Sequence, residues 1–446
     1  MKPSIPKGTR DFLPEQVARR NYIFNTIREV FELYGYVPIE TPVMENLSTL
    51  TGKYGDEGDK LLFKVLNNGD FLKNADPEAL ADMDSRKLVP SIAKRGLRYD
   101  LTVPFARFVT MHQNDIAFPF KRYQIQQVWR GDRPQRGRYQ EFFQCDADVV
   151  GSDSLMYESE LLKIYDTVFS KLGINCTIKL NNRKVLFGLA ESQGVQDSFM
   201  AMTVAIDKID KIGKEGVLKE MESRDIPRGK AERILEMLQI KELELLEKEF
   251  ENSPTGLKGI EELKTCLAYL GSTDTHNEIR FDMSLARGLT YYTGCIIEVQ
   301  ANDYEIGSIG GGGRYDNLTG SFGLDGVSGV GISFGAARIY DVMDGLKLFP
   351  ESVDRMLQIL ILAIDDEAHS YAFQFLSKLR ERGVSADLYP EPTKIKKQMK
   401  YADKINVPHV IIIGSEEMQS GQFTLKNMKS GDQSTMDLEQ LIERFS

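Results

Sequence analysis

The chain has 446 residues, 41% of them hydrophobic and 27% charged, and a formal net charge of −10 at pH 7. Length alone predicts about two to four domains with ample buried core, and the composition excludes collagen-like, disordered and small disulfide-stapled classes. The acidic total argues against a generic nucleic-acid binder, which needs local positive potential.

Apolar runs such as 357–364 and 410–413 fall far short of the ~20 residues of a membrane span. The opening MKPSIPKGTRDFLP lacks the continuous apolar stretch of a secretory signal. Cys145, Cys176, Cys266, Cys295 and the four histidines lie far apart, with no Cys-x-x-Cys. Neither a disulfide framework nor a Cys/His metal site is expected. These features predict a reduced, cytoplasmic setting and no membrane partner.

Residues 15–34 carry Ile23, Ile27, Val30, Phe31 and Tyr34 at helical spacing. Gly35 ends that helix, and 36–41 reads as a strand closed by Pro42. Further strands are predicted at 62–66, 97–103, 121–130 and 139–150. No helix of crossover length separates the last two, which predicts an antiparallel sheet. From about 176 to 272 the texture changes, and 198–222 and 228–250 are rich in Glu, Lys, Leu and Met at helical period. Strand-like segments resume at 278–285 and 292–300. The stretch 176–272 therefore reads as a mostly helical insertion, with a separate helical domain as the alternative. A second boundary falls near 346–355. Beyond it come strand 357–363, helix 367–382, strand 384–388, helix 393–404, strand 409–413, a hairpin and a last helix. That alternation predicts a small α/β domain with parallel strands.

The charge distribution has one exception to its acidity. Between positions 121 and 138 stand Lys121, Arg122, Arg130, Arg133, Arg136 and Arg138 against the single acid Asp132. The segment reads as strand, loop and strand. Alternation puts Arg122, Gln124, Gln126, Val128 and Arg130 on one face, and Phe142, Gln144, Asp146 and Asp148 on one face of the return strand. Burying such groups is costly unless they meet a ligand or one another. A polar pocket floored by a sheet, with arginines gripping phosphates, is one reading; a solvated edge hairpin is the other. The run 308–316, Ser-Ile-Gly-Gly-Gly-Gly-Arg-Tyr-Asp, is neither a Walker loop nor a dinucleotide fingerprint, and reads as a glycine-rich hairpin. The glycine-rich strand 329–335 leads into a helix bearing Arg338, a phosphate clamp or a surface residue. In 286–293, Arg287 precedes the adjacent Tyr291 and Tyr292, which in a strand face opposite ways.

Taken together, these segments resemble the histidyl-tRNA synthetase family of class II aminoacyl-tRNA synthetases over essentially the whole chain. The matching stretches are 6–14 (Pro-Lys-Gly-Thr-Arg-Asp-Phe-Leu-Pro), 98–107 (Arg-Tyr-Asp-Leu-Thr-Val-Pro-Phe-Ala-Arg) and 129–146. They continue with 287–292 (Arg-Gly-Leu-Thr-Tyr-Tyr), 312–316 and 331–338. The resemblance implies a class II α+β catalytic domain with an antiparallel sheet over 1–345, interrupted by the helical insertion at 176–272. It also implies an α/β anticodon-binding domain over 353–446. The reaction it implies is ATP-dependent activation of L-histidine to histidyl-adenylate and transfer to tRNA(His), with Mg²⁺ accompanying ATP.

By the same resemblance, Arg130 and Arg287 are the catalytic arginines, Arg130 on the α-phosphate and Arg287 on the transition state. Arg338 would hold the phosphate tail, Phe142 would stack on adenine, and Asp132 would contact it. A common form of the family has Glu where this chain has Asp132. Asp100, Leu101, Thr102 and Gln144 fall in the amino-acid site, with Asp100, Thr102 and Gln144 expected on the α-ammonium. Many bacterial members carry Glu in place of Asp100. Asp148 and Tyr292 would read the imidazole nitrogens, with Tyr291 alongside and Arg130 and Arg287 near the substrate. A carboxylate and a phenol can engage the donor and acceptor edges of imidazole. A pocket built on such groups discriminates by ~10⁴–10⁵ without proofreading, so no editing domain is expected. The helix to about Tyr34 and the strand after it correspond to a dimer interface in this class, implying a homodimer. Lys394, Lys396, Lys397, Lys400 and Lys404 form a basic stretch that is a tRNA contact or a solvated helix face. The competing reading is a non-catalytic histidine-binding regulatory paralogue of histidine biosynthesis, which lacks the C-terminal domain.

Overall fold

The structure, a computed structural model, describes residues 2–52, 61–135, 137–271, 273–286, 292–354 and 357–445. Strand β5 (Phe120–Trp129) pairs antiparallel with β6 (Glu141–Val150), as the missing crossover helix predicts. The register sets Arg122 opposite Asp148, Gln124 opposite Asp146, Gln126 opposite Gln144 and Val128 opposite Phe142. Alternation then leaves Tyr123, Cys145, Ala147 and Val149, all buried, on the other face. That apolar face receives helix α1 (Pro14–Leu33) and the helix Met156–Lys171. Phe31 meets Tyr123 and Phe334 at ring distances of 5.5 and 5.8 Å, and Tyr165 meets Phe334 at 4.7 Å. Ile23, Ile27, Val30 and Phe31 are 0–1% exposed, each such burial stabilising by ~1.5–3 kcal/mol. Gly35, at φ +78°, closes α1 in the left-handed conformation that favours glycine.

The full sheet has eight strands in the order β1 (Val37–Pro38), β5, β6, β11 (Gly329–Gly335), β10 (Gly310–Tyr315), β9 (Cys295–Ala301), β7 (Cys176–Asn182) and β8 (Glu278–Phe281). Its interior pairs are antiparallel, and the edge pairs β1–β5 and β7–β8 are parallel. A separate antiparallel sheet of β2 (Met44–Asn46), β4 (Arg95–Leu97) and β3 (Lys64–Val65) lies in the same unit.

Three expectations shift. The glycine run at 310–313 lies within the interior strand β10 and is not a hairpin tip. A Cβ on Gly312 would sit 2.1 Å from the Gly331 carbonyl oxygen, so only glycine allows this approach to β11. The strand predicted over 97–103 ends at Leu97, and a helix, Thr102–Met111, begins five residues later. The Asp100 carboxylate accepts from the Val103 N–H at 3.3 Å, which favours that turn. The predicted insertion does not begin at 176, because 176–182 is strand β7, with Cys176, Ile178 and Leu180 fully buried in the sheet. The helical part runs from Arg183–Ser192 to Pro254–Leu270.

The chain divides into two units, one of residues 1–11 and 20–348, the other of 12–19 and 349–446. The second has a five-stranded sheet in the order β13 (Ala386–Leu388), β12 (Ile359–Ala363), β14 (His409–Ile413), β15 (Phe423–Asn427), β16 (Gln433–Met436). β12, β13 and β14 are parallel, as the strand–helix alternation predicts, and β15–β16 is the hairpin. Ile359 and Ile361 pack one face with Phe375, Leu379 and Leu441; Leu360 and Leu362 pack the other with Ala402 and Val410. Within this unit Arg19 grips Asp354 with two hydrogen bonds, at 2.8 and 2.7 Å, and lies 5.2 Å from the Phe349 ring.

Candidate active site

The polar face of the β5–β6 hairpin floors a cavity of about 350 Å³. Β-strand rise puts Phe142 and Asp148, six residues apart on β6, ~20 Å from one another. The cavity therefore spans two chemically different ends.

At the Phe142 end the lining is basic. Arg130 donates through Nε to the Tyr99 carbonyl at 2.8 Å and through Nη2 to Gln144 Oε1 at 3.3 Å, with its guanidinium 5.3 Å from the Phe142 ring centre. Arg338 follows β11 on the helix Ala336–Gly345. It donates to the Gly137 carbonyl at 3.1 Å and the Ser308 carbonyl at 2.6 Å. Asp132 faces Arg138 at 3.8 Å. Two forked arginines beside an aromatic ring suit a nucleotide's phosphates and base.

At the Asp148 end the lining is acidic. Asp100, Asp146, Asp148, Thr102, Gln144 and Tyr292 all line the cavity. Asp148 pairs with the fully buried Arg122 at 2.7 Å and accepts the Tyr315 hydroxyl. Burial raises the Asp148 carboxyl, while Arg122 and Tyr315 oppose that shift. Gln144 donates to Ser333 Oγ at 3.0 Å and to Asp146 Oδ1 at 3.4 Å. Burial pushes Asp146 up to about 7, with Arg122 opposing and Asp148 and Asp100 reinforcing the rise. Such an end suits a cationic amino acid.

Thus Asp100, Thr102, Arg130, Asp132, Phe142, Gln144, Asp148, Tyr292 and Arg338 come together in one cavity. Leu101 does not line it. Its side chain is fully buried, and its carbonyl accepts from Arg122 Nη2 at 3.4 Å. Arg287 and Tyr291 lie outside the described residues, as does Arg136. The structure adds Arg122, Asp146, Ser333 and Tyr315. Alternation already put Arg122 on the face opposing Asp148, but the buried ion pair requires the register. Arg122 is consequently a floor residue and not a phosphate clamp.

Comparison with known proteins gives consistent findings. The family description "Histidyl-tRNA synthetase" matches residues 8–73 and 71–339, and "Anticodon binding domain" matches 358–446. The chain is 53% identical over 446 residues to a histidine–tRNA ligase of Phocaeicola vulgatus, covering 99% of this chain and 98% of that one. It is 55% identical over 437 residues to that of Porphyromonas gingivalis, covering 97% and 96%. Among solved structures, a histidyl-tRNA synthetase from Nostoc superposes with a TM-score of 0.84 at 30% identity, covering 100% of this chain and 99% of that one.

Proposed function

The chain belongs to the histidyl-tRNA synthetase family, and from that premise we propose that it is a histidine–tRNA ligase working in two steps in the cavity described above. Histidine and ATP give histidyl-adenylate and pyrophosphate, and the histidyl group then passes to the terminal ribose of tRNA(His). One observation carries the reading: a single sheet face offers forked arginines and an aromatic ring at one end, and buried carboxylates at the other. The regulatory-paralogue reading is not favoured, because residues 358–446 match an anticodon-binding domain.

In this reading the Asp100, Thr102 and Gln144 side chains take the α-ammonium, and Asp148 and Tyr292 take the imidazole nitrogens, a role that the family resemblance extends to Tyr291. Leu101 contributes only through its backbone. That grip holds the carboxylate in line with the α-phosphate, which rests on Arg130. Positioning and charge stabilisation then supply most of the rate, since the reacting carboxylate needs no covalent help. Arg287 is assigned to the charge that develops in the transition state, and Arg338 to the phosphate tail. Phe142 stacks on adenine, with Asp132 at its edge. Mg²⁺ accompanies ATP. It would supply positive charge to the phosphate oxygens as negative charge builds up on them.

The decisive test is histidine-dependent ATP–pyrophosphate exchange, with other amino acids as controls and Arg287→Ala alongside. Exchange with histidine only, lost by 10²-fold or more in the variant, is the expected result. Exchange with several amino acids, or none, sinks the assignment. We also propose a homodimer formed through α1 and β1, in a cytoplasmic setting. No described helix is long and apolar enough to cross a membrane. Light scattering should give about twice the mass of one chain; the mass of a single chain refutes the dimer.

A further inference from the structure

Asp146 is a carboxyl group built into the cavity wall, with no ion pair to an arginine or lysine among the described residues. It is 2% exposed and lines the cavity. On its own strand it neighbours Gln144 and Asp148, with the Cys145 thiol on the reverse face. From β5 it faces Arg122 and Gln124, from β11 Ser333, from β10 Tyr315, and from the segment before the helix Thr102–Met111 it faces Asp100 and Arg98. Its hydrogen-bond donors are neutral: Gln144 Nε2 at 3.4 Å and the Ser333 hydroxyl. The nearby buried cation forms its ion pair with the neighbouring carboxylate: Arg122 Nη2 lies 2.7 Å from Asp148 Oδ2 and donates to the Leu101 carbonyl at 3.4 Å. Nε and Nη1 of Arg122 are buried and make no hydrogen bond. Two more carboxylates, Asp100 and Asp148, therefore crowd Asp146, and no described arginine or lysine pairs with it.

We propose that Asp146 is a further recognition residue, which surrenders its proton to solvent when the amino acid's ammonium group enters and then serves as that group's counter-charge. The inference rests on the assignment of this end of the cavity to histidine. The balance is simple: a neutral carboxylic acid and an ammonium become a carboxylate–ammonium pair, and one proton passes to the buffer. The Gln144 amide, already bonded to Asp146, is the group that sets the ammonium beside it. The direction in which burial shifts Asp146, up to about 7, supports a neutral acid in the empty site at and below neutral pH. A ligand without the ammonium group cannot drive that ionisation, so the wall also favours amines over their deaminated analogues.

Calorimetry of histidine binding tests this, using the full chain and Asp146→Asn in buffers of differing ionisation heat. The imidazole of histidine titrates identically in both experiments and cancels in the difference. At pH 7 the wild-type protein is expected to release about half a proton more than the variant, rising toward one at pH 6. Its affinity should fall about fivefold more than the variant's between pH 7 and 6. The excess release should persist with histidinol, which keeps the ammonium, and vanish with the deaminated analogue imidazolepropanoate. Infrared difference spectra of the unmodified protein at pH 6 give a readout that needs no variant, namely loss of a protonated-carboxyl band on adding histidine. Equal proton release in both proteins, with histidine bound, overturns the inference alone. Excess release with imidazolepropanoate overturns the ammonium assignment. Histidine that does not bind the wild-type chain at all overturns the underlying function as well.

Discussion

Arg122 holds a guanidinium at 0% exposure against Asp148, with its centre 4.2 Å from the Phe105 ring. Removing one partner of such a pair leaves the other charge buried and unmatched, at a cost of ~3–5 kcal/mol. Arg122→Met should therefore lose stability of that order in urea unfolding, and Arg122→Met with Asp148→Asn should recover much of it. A single variant within ~1 kcal/mol of wild type would contradict the pairing. Asp146 acts in the opposite sense. Its folded value of about 7 stands above the ordinary aspartate value of 3.8, so between those pH values the unfolded chain sheds a proton that the folded chain keeps. Stability is lost as pH rises through that window, and the loss is complete above about 7. Asp146→Asn should then gain in Tm over wild type progressively from pH 4 to 7, and no further beyond. A gain that does not change with pH would place the titration elsewhere.

Elements explain why some residues tolerate no change. A Cβ on Gly331 would lie 1.9 Å from Asp148 Oδ1, whereas one on Gly335 would meet nothing nearer than the Ile309 carbonyl oxygen at 3.4 Å. Gly331→Ala should displace Asp148 and raise the KM for histidine in pyrophosphate exchange at least tenfold, about 1.4 kcal/mol; Gly335→Ala should change it little. On the helix Ile395–Lys404, Gln398 and Ala402 face the core and the five lysines of 394–404 are exposed. If they meet tRNA phosphates, replacing them by Ala should flatten the salt dependence of tRNA binding by nearly one unit of slope per contact; an unchanged slope marks a solvated face. The β5–β6 hairpin was legible because its residues alternate cleanly. β10 was not, since four glycines present no side chains to alternate and the strand is held by β9 and β11. The segment 97–103 misled because Leu97, Tyr99, Leu101 and Val103 alternate like a strand, while the Asp100 carboxylate accepts from the Val103 N–H in the first turn of a helix. Asp146 was visible as one of four residues on a face, but pattern gives the side and not the distance to Arg122.

Over the whole molecule, the sheet unit and the α/β unit followed from element order, whereas two boundaries did not. β7 sits beside a long helical stretch that masks its own alternation. The membership of residues 12–19 in the C-terminal unit has no sequence signal, because it depends on partners such as Asp354 and Phe349, which lie far along the chain. That last feature sets an order of events during synthesis. Residues 12–19 leave the ribosome about 330 residues ahead of their partners. At 5–20 residues per second the segment waits roughly 15 to 70 s for them. Nascent chains stalled before residue 349 should be cut by trypsin after Arg19, while the released full-length chain resists. These helical turns are thus shielded long after they are made, and the interval exposes them to whatever protease or chaperone reaches the ribosome first.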